Sequence, residues 1–412
     1  MKKMLSKVLV ASVLALTAIV GLTGCSNEED GVVLWTLMTG SDDVFWIAIV
    51  DAFNDTDPEM PIRNVQVPAF YERLMTVSTG GNERDLPDLI TLHAERVPQF
   101  VDQGIIESMD DIISLEPGLS RDSFLPQAWD SGIVNGSVYS VPLDLHSSIL
   151  YYNVDLLQRF APHLLDAEVI TFDDLFYVQA QIDAGGYDYI TYPVSNTAWA
   201  ASAWATMYGA QLFDGDLPTI DSEAMANGFR RWQSIVDGGL SHEYGDAPYQ
   251  LFRAGQSVFI QEGTWFAGGL RELEDLNWGM THTPVLNANT APVNWTSQHA
   301  LSVTPKERSP EVDAGIAAFL EFVRLNADMW AESGQNATSY VVIDSPEYQN
   351  MPQSFLTRNP ESMVVFPFLN NGIMWDALHN MAGDIAWGRV DASERVTEGQ
   401  QWIDDMIAER GE

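Results

Sequence analysis

The chain has 412 residues, with 58 acids against 20 lysines and arginines and a formal charge of −38 at pH 7. That balance excludes nucleic acid as a partner, because phosphate binding needs a basic footprint, and it excludes adhesion to an anionic membrane through the protein surface. A single cysteine rules out an internal disulfide, and the length suits about two domains with a substantial core.

Met1–Gly24 reads as a processing segment, with Lys2, Lys3 and Lys7 as a basic n-region and Val8–Gly21 as an apolar h-region. Leu22-Thr23-Gly24 precede Cys25, and this run resembles the lipobox of bacterial lipoproteins. The resemblance implies cleavage before Cys25, a diacylglycerol on its sulfur and retention at the outer face of a membrane. A plain secretory signal is the alternative. An h-region this short is a poor anchor, since spanning needs roughly 20 apolar residues, and no later stretch approaches that length. Residues 25–31 then make a polar tether. Lys306 is the only lysine after the signal, a pattern that suits either alkaline or saline surroundings or compositional drift.

Val32–Trp35 reads as a buried strand and Thr36–Ser41 as a turn, with Ser41 or Asp42 placed to cap a helix over Val44–Asn54. Ile62–Val67 follows as a strand, Ala69–Ser78 as a helix ending at Gly80-Gly81, Pro87–Leu92 as a strand and Val97–Gly104 as a helix. This alternation argues for a layered α/β lobe with a largely parallel sheet. Val138–Val141 and Ser148–Tyr152 are extended segments joined across Pro142–His146, and Pro142 bars its predecessor from helix. The stretch reads either as a crossing between two lobes, with Asp144 and His146 at the cleft edge, or as a hairpin within one domain. Thr171 caps a helix over Phe172–Ile182, Ala198–Tyr208 is an alanine-rich helix carrying Trp199 and Trp204, and Ser222–Gly238 is a long helix. Tyr249–Gly255 leads into the apolar strand Ser257–Gln261 and the turn Glu262-Gly263-Thr264-Trp265.

Several of these motifs, in this order, resemble those of bacterial extracellular solute-binding proteins, the receptors of ABC importers for sugars. They are Leu34-Trp35, Phe53-Asn54, Leu86–Ile90, Gln103–Glu107, Val138–Pro142 with Leu150–Asn153, and Thr171–Leu175. Phe252–Gly255 with Glu262–Trp265, Trp278–Met280, and Ala300–Pro305 ahead of Ala317–Val323 complete the set, over nearly all the mature chain. The resemblance implies a two-lobed α/β fold of the periplasmic-binding-protein kind. Each lobe would be a mostly parallel sheet flanked by helices, and the hinge would be crossed a second time near Ala300 and a third near Tyr340. The expected lobes are residues 32–144 plus 298–340 and residues 145–297 plus 341–412. The implied function is an extracellular, lipid-anchored receptor, expected to be monomeric and without a cofactor. It would capture a sugar or oligosaccharide in the interlobe cleft and hand it to the permease of an ABC importer, with no bond made or broken.

A sugar presents C–H faces to flat aromatic rings and hydroxyls to carboxylates, amides and imidazoles. Of the 13 tryptophans, Trp265, Trp295, Trp199 and Trp35 are candidate stacking surfaces, with Asp144, His93, Glu262, His299 and Asp43 as candidate hydroxyl partners. Each also has a plainer reading: Trp35 as strand packing, Trp199 as helix core, Asp43 as a helix-start charge, the others as caps or satisfied buried groups. Trp204, Trp278, Trp330, Trp387 and Trp402 are expected in core or lobe packing. Three rivals stand beside the receptor reading. A secreted glycoside hydrolase would also use aromatics and carboxylates. A metal receptor is not favoured, because no His-x-x-x-His or paired Cys/His spacing occurs and Asp43, Asp144 and Glu262 are scattered. A receptor for another polar solute, such as a polyol or a glycerol phosphate, would in the phosphate case call for cleft arginines that the candidate segments nearly lack.

Overall fold

The computed structural model describes residues 31–80, 83–241, 247–366 and 369–410; the signal segment, Cys25 and the tether up to residue 30 lie outside the described residues. The first strands are β1 (Val32–Thr36), β2 (Ile62–Gln66) and β3 (Leu89–His93), and β1 runs parallel to both of the others. Parallel neighbours need crossover connections, which the helices Ser41–Asn54 and Phe70–Thr79 supply. A small hairpin, β4 (Ile133–Val134) with β5 (Ser137–Val138), precedes β6 (Val141–Pro142) and the ten-residue β7 (Asp144–Asn153). A second small hairpin pairs β8 (Phe213–Asp214) with β9 (Leu217–Pro218). Then come β10 (Phe259–Gly263), β11 (Trp278–Thr281), β12 (Asn294–Ser297), β13 (His299–Val303), β14 (Asn336–Ala337) and β15 (Met363–Val365).

These strands form two main sheets. The first has the order β2-β1-β3-β13-β6; the second has the order β10-β7-β12-β15, with β11 and β14 also on β7. The chain leaves the first sheet at Pro142 and enters the second at Asp144, so Leu143 alone spans the gap. It returns between Ser297 and His299, across Gln298, and β14 then pairs with the start of β7. Val138–Asn153 is therefore a crossing between sheets and not a hairpin. Hydrogen bonds tie the crossings together: Gln298 donates to Ala128 O and accepts from Ser131 Oγ, and the Leu143 amide donates to His299 O.

Strand direction departs from expectation. Only the β1–β2 and β1–β3 pairs of the first sheet are parallel, and β13 runs antiparallel to both β3 and β6. In the second sheet β10, β11, β12 and β14 all run against β7, and only β12 and β15 are parallel. The cause is the crossing strand itself: β7 enters that sheet along its full length, and each later strand that pairs with it returns the other way.

Both faces of the first sheet are covered. Trp46, Phe53, Phe319 and Leu320 pack on Leu34 and Leu301, while Phe70, Leu74 and Phe100 pack on Ile90 and Leu92. The second sheet is covered by a cluster that includes Leu150, Phe259, Trp204, Phe229, Trp232 and Leu378. Within it the helices Thr197–Met207 and Glu223–Asp237 approach so closely that a Cβ on Gly228 would lie 2.2 Å from Ala201 O. Local signals were obeyed where they were strong. Thr171 and Asp174 form a reciprocal capping box on Phe172–Gly185, and Ser222 and Ser309 cap their helices. The helix Ser41–Asn54 is different: Gly40, at φ +66°, occupies its N-cap and no side chain caps it, so neither Ser41 nor Asp42 plays the expected part. Trp402, expected in packing, is 37% exposed, because Val396, Ile403 and Ile407 take the buried face of its helix. Among the described residues no helix is long and apolar enough to cross a membrane.

Candidate ligand-binding site

Between the two sheets lies a cavity of ≈ 600 Å³, within the range typical of small-molecule sites. On the first sheet's side its wall is built from the segments that follow β1 and β3, namely Leu37–Asp42 and His93, Glu95 and Arg96. These are the carboxyl ends of parallel strands, where open α/β sheets ordinarily bind ligands. The opposite wall carries Trp199 on the first turn of its helix, Trp265 just beyond β10, Trp295 on β12, and Trp375, Asp376 and His379 on the helix Asn371–Ala386.

The indoles form one continuous surface. Trp199 stacks on Trp295 at 4.6 Å and 11°, Trp265 meets Trp199 edge-on at 5.5 Å, and Trp375 meets Trp295 edge-on at 5.5 Å. His379 abuts both Trp199 and Trp375 and is held by a contact between its Nδ1 and Trp375 O. Trp265 lies over backbone: a Cβ on Gly263 would come within 2.1 Å of its ring. Trp204 and Trp232, by contrast, donate their indole N–H groups to the carbonyls of Pro284 and Thr197 and sit in the core.

Three histidines close the floor. His93 ends β3, His299 begins β13 directly opposite it in register, and His146 lies on β7. Behind them Asp144 is fully buried and accepts from His146 Nδ1 at 3.0 Å, His299 Nδ1 at 2.8 Å, the His299 amide at 3.1 Å and the Trp330 indole at 2.6 Å. Burial pushes the Asp144 carboxyl up, but His299 and His146 outweigh it and hold it well below the usual carboxylate range. Burial pulls His299 down, and Asp144 more than reverses this, so its pKa is raised. Burial and then His299 lower both His93 and His146. Above the floor, burial drives Asp42 up to about 6, against the pull of His299 and a hydrogen bond from Gln335. Its other oxygen, Oδ1, is buried without a hydrogen-bond partner among the described residues.

Of the candidates read from sequence, Trp265, Trp295, Trp199, His93 and His299 line the cavity. Asp144 does not reach it and instead braces His146 and His299, which do. Glu262 is also off the wall: it is buried behind Trp265, accepts from the Gly263 amide, and burial raises its pKa. Trp35 packs with the cluster of Phe70, Leu74 and Phe100 on the far side of the first sheet, as alternation along β1 requires. Asp43 is displaced by its neighbour, since adjacent helical residues point about 100° apart and it is Asp42 that faces the cavity. Sequence reading missed Asp42, Glu95, Arg96, Ser297, Trp375, Asp376 and His379. Only the helix Asn371–Ala386 carried a signal, Trp375-x-x-x-His379, which puts an indole and an imidazole on one face.

Residues 48–356 match the family model for bacterial extracellular solute-binding proteins, and the chain belongs to that family. Maltodextrin-binding protein MdxE of Bacillus subtilis (strain 168) is 24% identical over 428 residues, covering 98% of this chain and 97% of that protein. The arabinooligosaccharide-binding protein of Halalkalibacterium halodurans is 22% identical, covering 77% of this chain and 73% of its own. Among solved structures, the GacH receptor of Streptomyces glaucescens superposes with a TM-score of 0.77 at 18% identity, over 92% of this chain and 100% of that one. The sugar-binding protein MalE of Xanthomonas citri gives 0.75 at 17% identity, over 92% and 98%. These likenesses establish the two-lobed binding-protein fold.

Proposed function

We propose that the protein captures a neutral sugar or oligosaccharide in this cleft and delivers it to the permease of an ABC importer, while a lipid on Cys25 holds it at the outer face of the cell membrane. The observation that carries the reading is the run of indoles Trp265, Trp199, Trp295 and Trp375 facing the polar groups of Asp42, His93 and His299 across one cavity. Such a pairing matches the C–H faces and hydroxyl rim of a pyranose or furanose. Among the described residues the wall carries three carboxylates, Asp42, Glu95 and Asp376, against one arginine, Arg96, which disfavours a phosphorylated ligand. Relatives named for maltodextrin and arabinooligosaccharides, and a structural neighbour described in complex with acarbose, support the same class.

The proposed lobes are residues 32–144 plus 298–340 and residues 145–297 plus 341–412. Closure would come from contacts that a ligand makes with both lobes at once, and no bond is broken. A thermal-shift screen over mono-, malto- and arabino-oligosaccharides tests the reading. A ligand at 100 times its Kd should stabilise the fold by about 2.7 kcal/mol, and Trp265→Ala should remove most of that shift. A screen without any shift, or turnover of a glycan by the pure protein, would overturn it. Cys25→Ala should release the protein from membranes into the medium.

A further inference from the structure

We propose that His93, His146 and His299 form a binding site for one divalent transition-metal ion, of the zinc class, at the floor of the cleft. One ring nitrogen from each lies within 4.8 Å of those of the other two. The ring centroids are 4.3 Å apart for His146 and His299, 4.8 Å for His93 and His299, and 5.8 Å for His93 and His146. Tetrahedral coordination at about 2.0–2.1 Å sets ligand nitrogens about 3.4 Å apart, so nitrogens as far apart as 4.8 Å have to draw together by about 1.4 Å.

The groups behind the rings favour this use. Asp144 takes the Nδ1 of His146 and of His299, and the Tyr71 hydroxyl is 2.7 Å from the Nδ1 of His93. Asp144 fixes the Nδ1–H tautomer of His146 and His299 and leaves their Nε2 lone pairs to ligate, whereas in His93 ligation through Nε2 requires Nδ1–H to donate to the Tyr71 oxygen, which also accepts from the His93 amide. A carboxylate behind a histidine is the usual means by which proteins fix the ligating tautomer and orient the ring. Asp144 is itself immobilised by the Trp330 indole and the His299 amide. Three imidazoles without a fourth ligand among the described residues make an open site, and because all three rings line the cavity, the open position faces the ligand space. Imidazole nitrogen suits Zn2+, Co2+, Ni2+ and Cu2+, whereas Ca2+ and Mg2+ want oxygen. An ion here would also join the two sheets at the crossing, since His93 and His299 belong to the first and His146 to the second.

The inference does not rest on sugar binding, and its test contains no sugar. Tag-free protein freed of metal with EDTA would be titrated with Zn2+ by calorimetry and with Co2+ by visible absorption. The expected result is one equivalent bound per chain, with the intense d–d bands of four-coordinate Co2+, a raised unfolding temperature in Zn2+ and no response to Ca2+ or Mg2+. His93→Gln and, separately, His146→Gln should each weaken Zn2+ binding at least tenfold, while His282→Gln, which alters a buried histidine outside the cleft, should leave it unchanged. Absence of saturable Zn2+ and Co2+ binding by the parent protein overturns the proposal whatever the variants do. Binding that survives both His93→Gln and His146→Gln overturns it equally.

Discussion

The Trp199 and Trp295 indoles lie face to face, 4.6 Å apart and within 11° of parallel, although one comes from a helix and the other from a strand of the second sheet. Each ring therefore has one face spent on the other, and a ligand meets them as a unit. Trp199 is the more open of the two, with Trp295 only 7% exposed, so Trp295 acts largely as backing. Trp199→Ala and Trp295→Ala should each weaken ligand binding by about 2 kcal/mol, roughly 30-fold in Kd. Because the rings work together, the double variant should lose less than the sum, by more than about 0.5 kcal/mol. Calorimetry on the four proteins of this cycle measures the coupling; strictly additive losses would show that the rings act separately.

Trp265 depends in turn on a residue without a side chain. Gly263 pairs with Ser148 at the end of β10, and a Cβ there would meet the Trp265 ring at 2.1–2.2 Å. The backbone is held by the sheet, so in Gly263→Ala the ring has to move. The variant should fold with a modest loss of stability, shift the tryptophan emission and bind ligand at least tenfold more weakly. Unchanged affinity would remove the Trp265 position from the ligand contacts.

The reach of the sequence is easiest to judge on such residues. The crossing at Leu143 was legible because β-branched and aromatic residues flank a proline, and Trp199, Trp265 and Trp295 were legible because they stand on turns and element ends. Trp375 was hidden by its own helix, Asn371–Ala386, whose apolar residues surround it and make it read as core. Asp42 and Asp43 are equivalent by type, and only the rotation of the helix chooses between them. The grouping of His93, His146 and His299 was beyond any spacing rule, since three strands distant in the chain bring it about. Asp144 was recognised as a residue but not in its role, because the donors that surround it come from β7, β13 and the helix Ala327–Ala331.

That role makes Asp144 a structural test. Every group around its carboxylate is a donor, so the amide nitrogen of Asp144→Asn would have to face one of them. Breaking a buried charge pair in this way should destabilise the fold by about 3 kcal/mol. Trp330→Phe removes a single charge-assisted bond and should cost about 2 kcal/mol. Urea unfolding at neutral pH measures both, and a neutral Asp144→Asn would show that the network carries no stability.

The last prediction concerns pH and lies outside the cleft. His282 is buried edge-on to Phe355, and burial drives its pKa down to about 4. Its surroundings demand the neutral ring as well. Asn294 Oδ1 accepts from the Thr283 amide at 2.9 Å, which turns the Asn294 amino group toward His282 Nδ1, also at 2.9 Å. A proton on that nitrogen would set donor against donor. In the unfolded chain the imidazole titrates near 6.5, so between about 6.5 and 4 the unfolded state takes up a proton that the fold refuses. This contribution is complete above pH 6.5, declines as pH falls and is gone by about pH 4, with a ceiling near 3 kcal/mol. His282→Gln removes the titrating group, so its stability should fall less steeply than that of the parent protein between pH 6.5 and 4. Urea midpoints taken every half unit measure the difference, and parallel curves would mean that His282 titrates alike in both states.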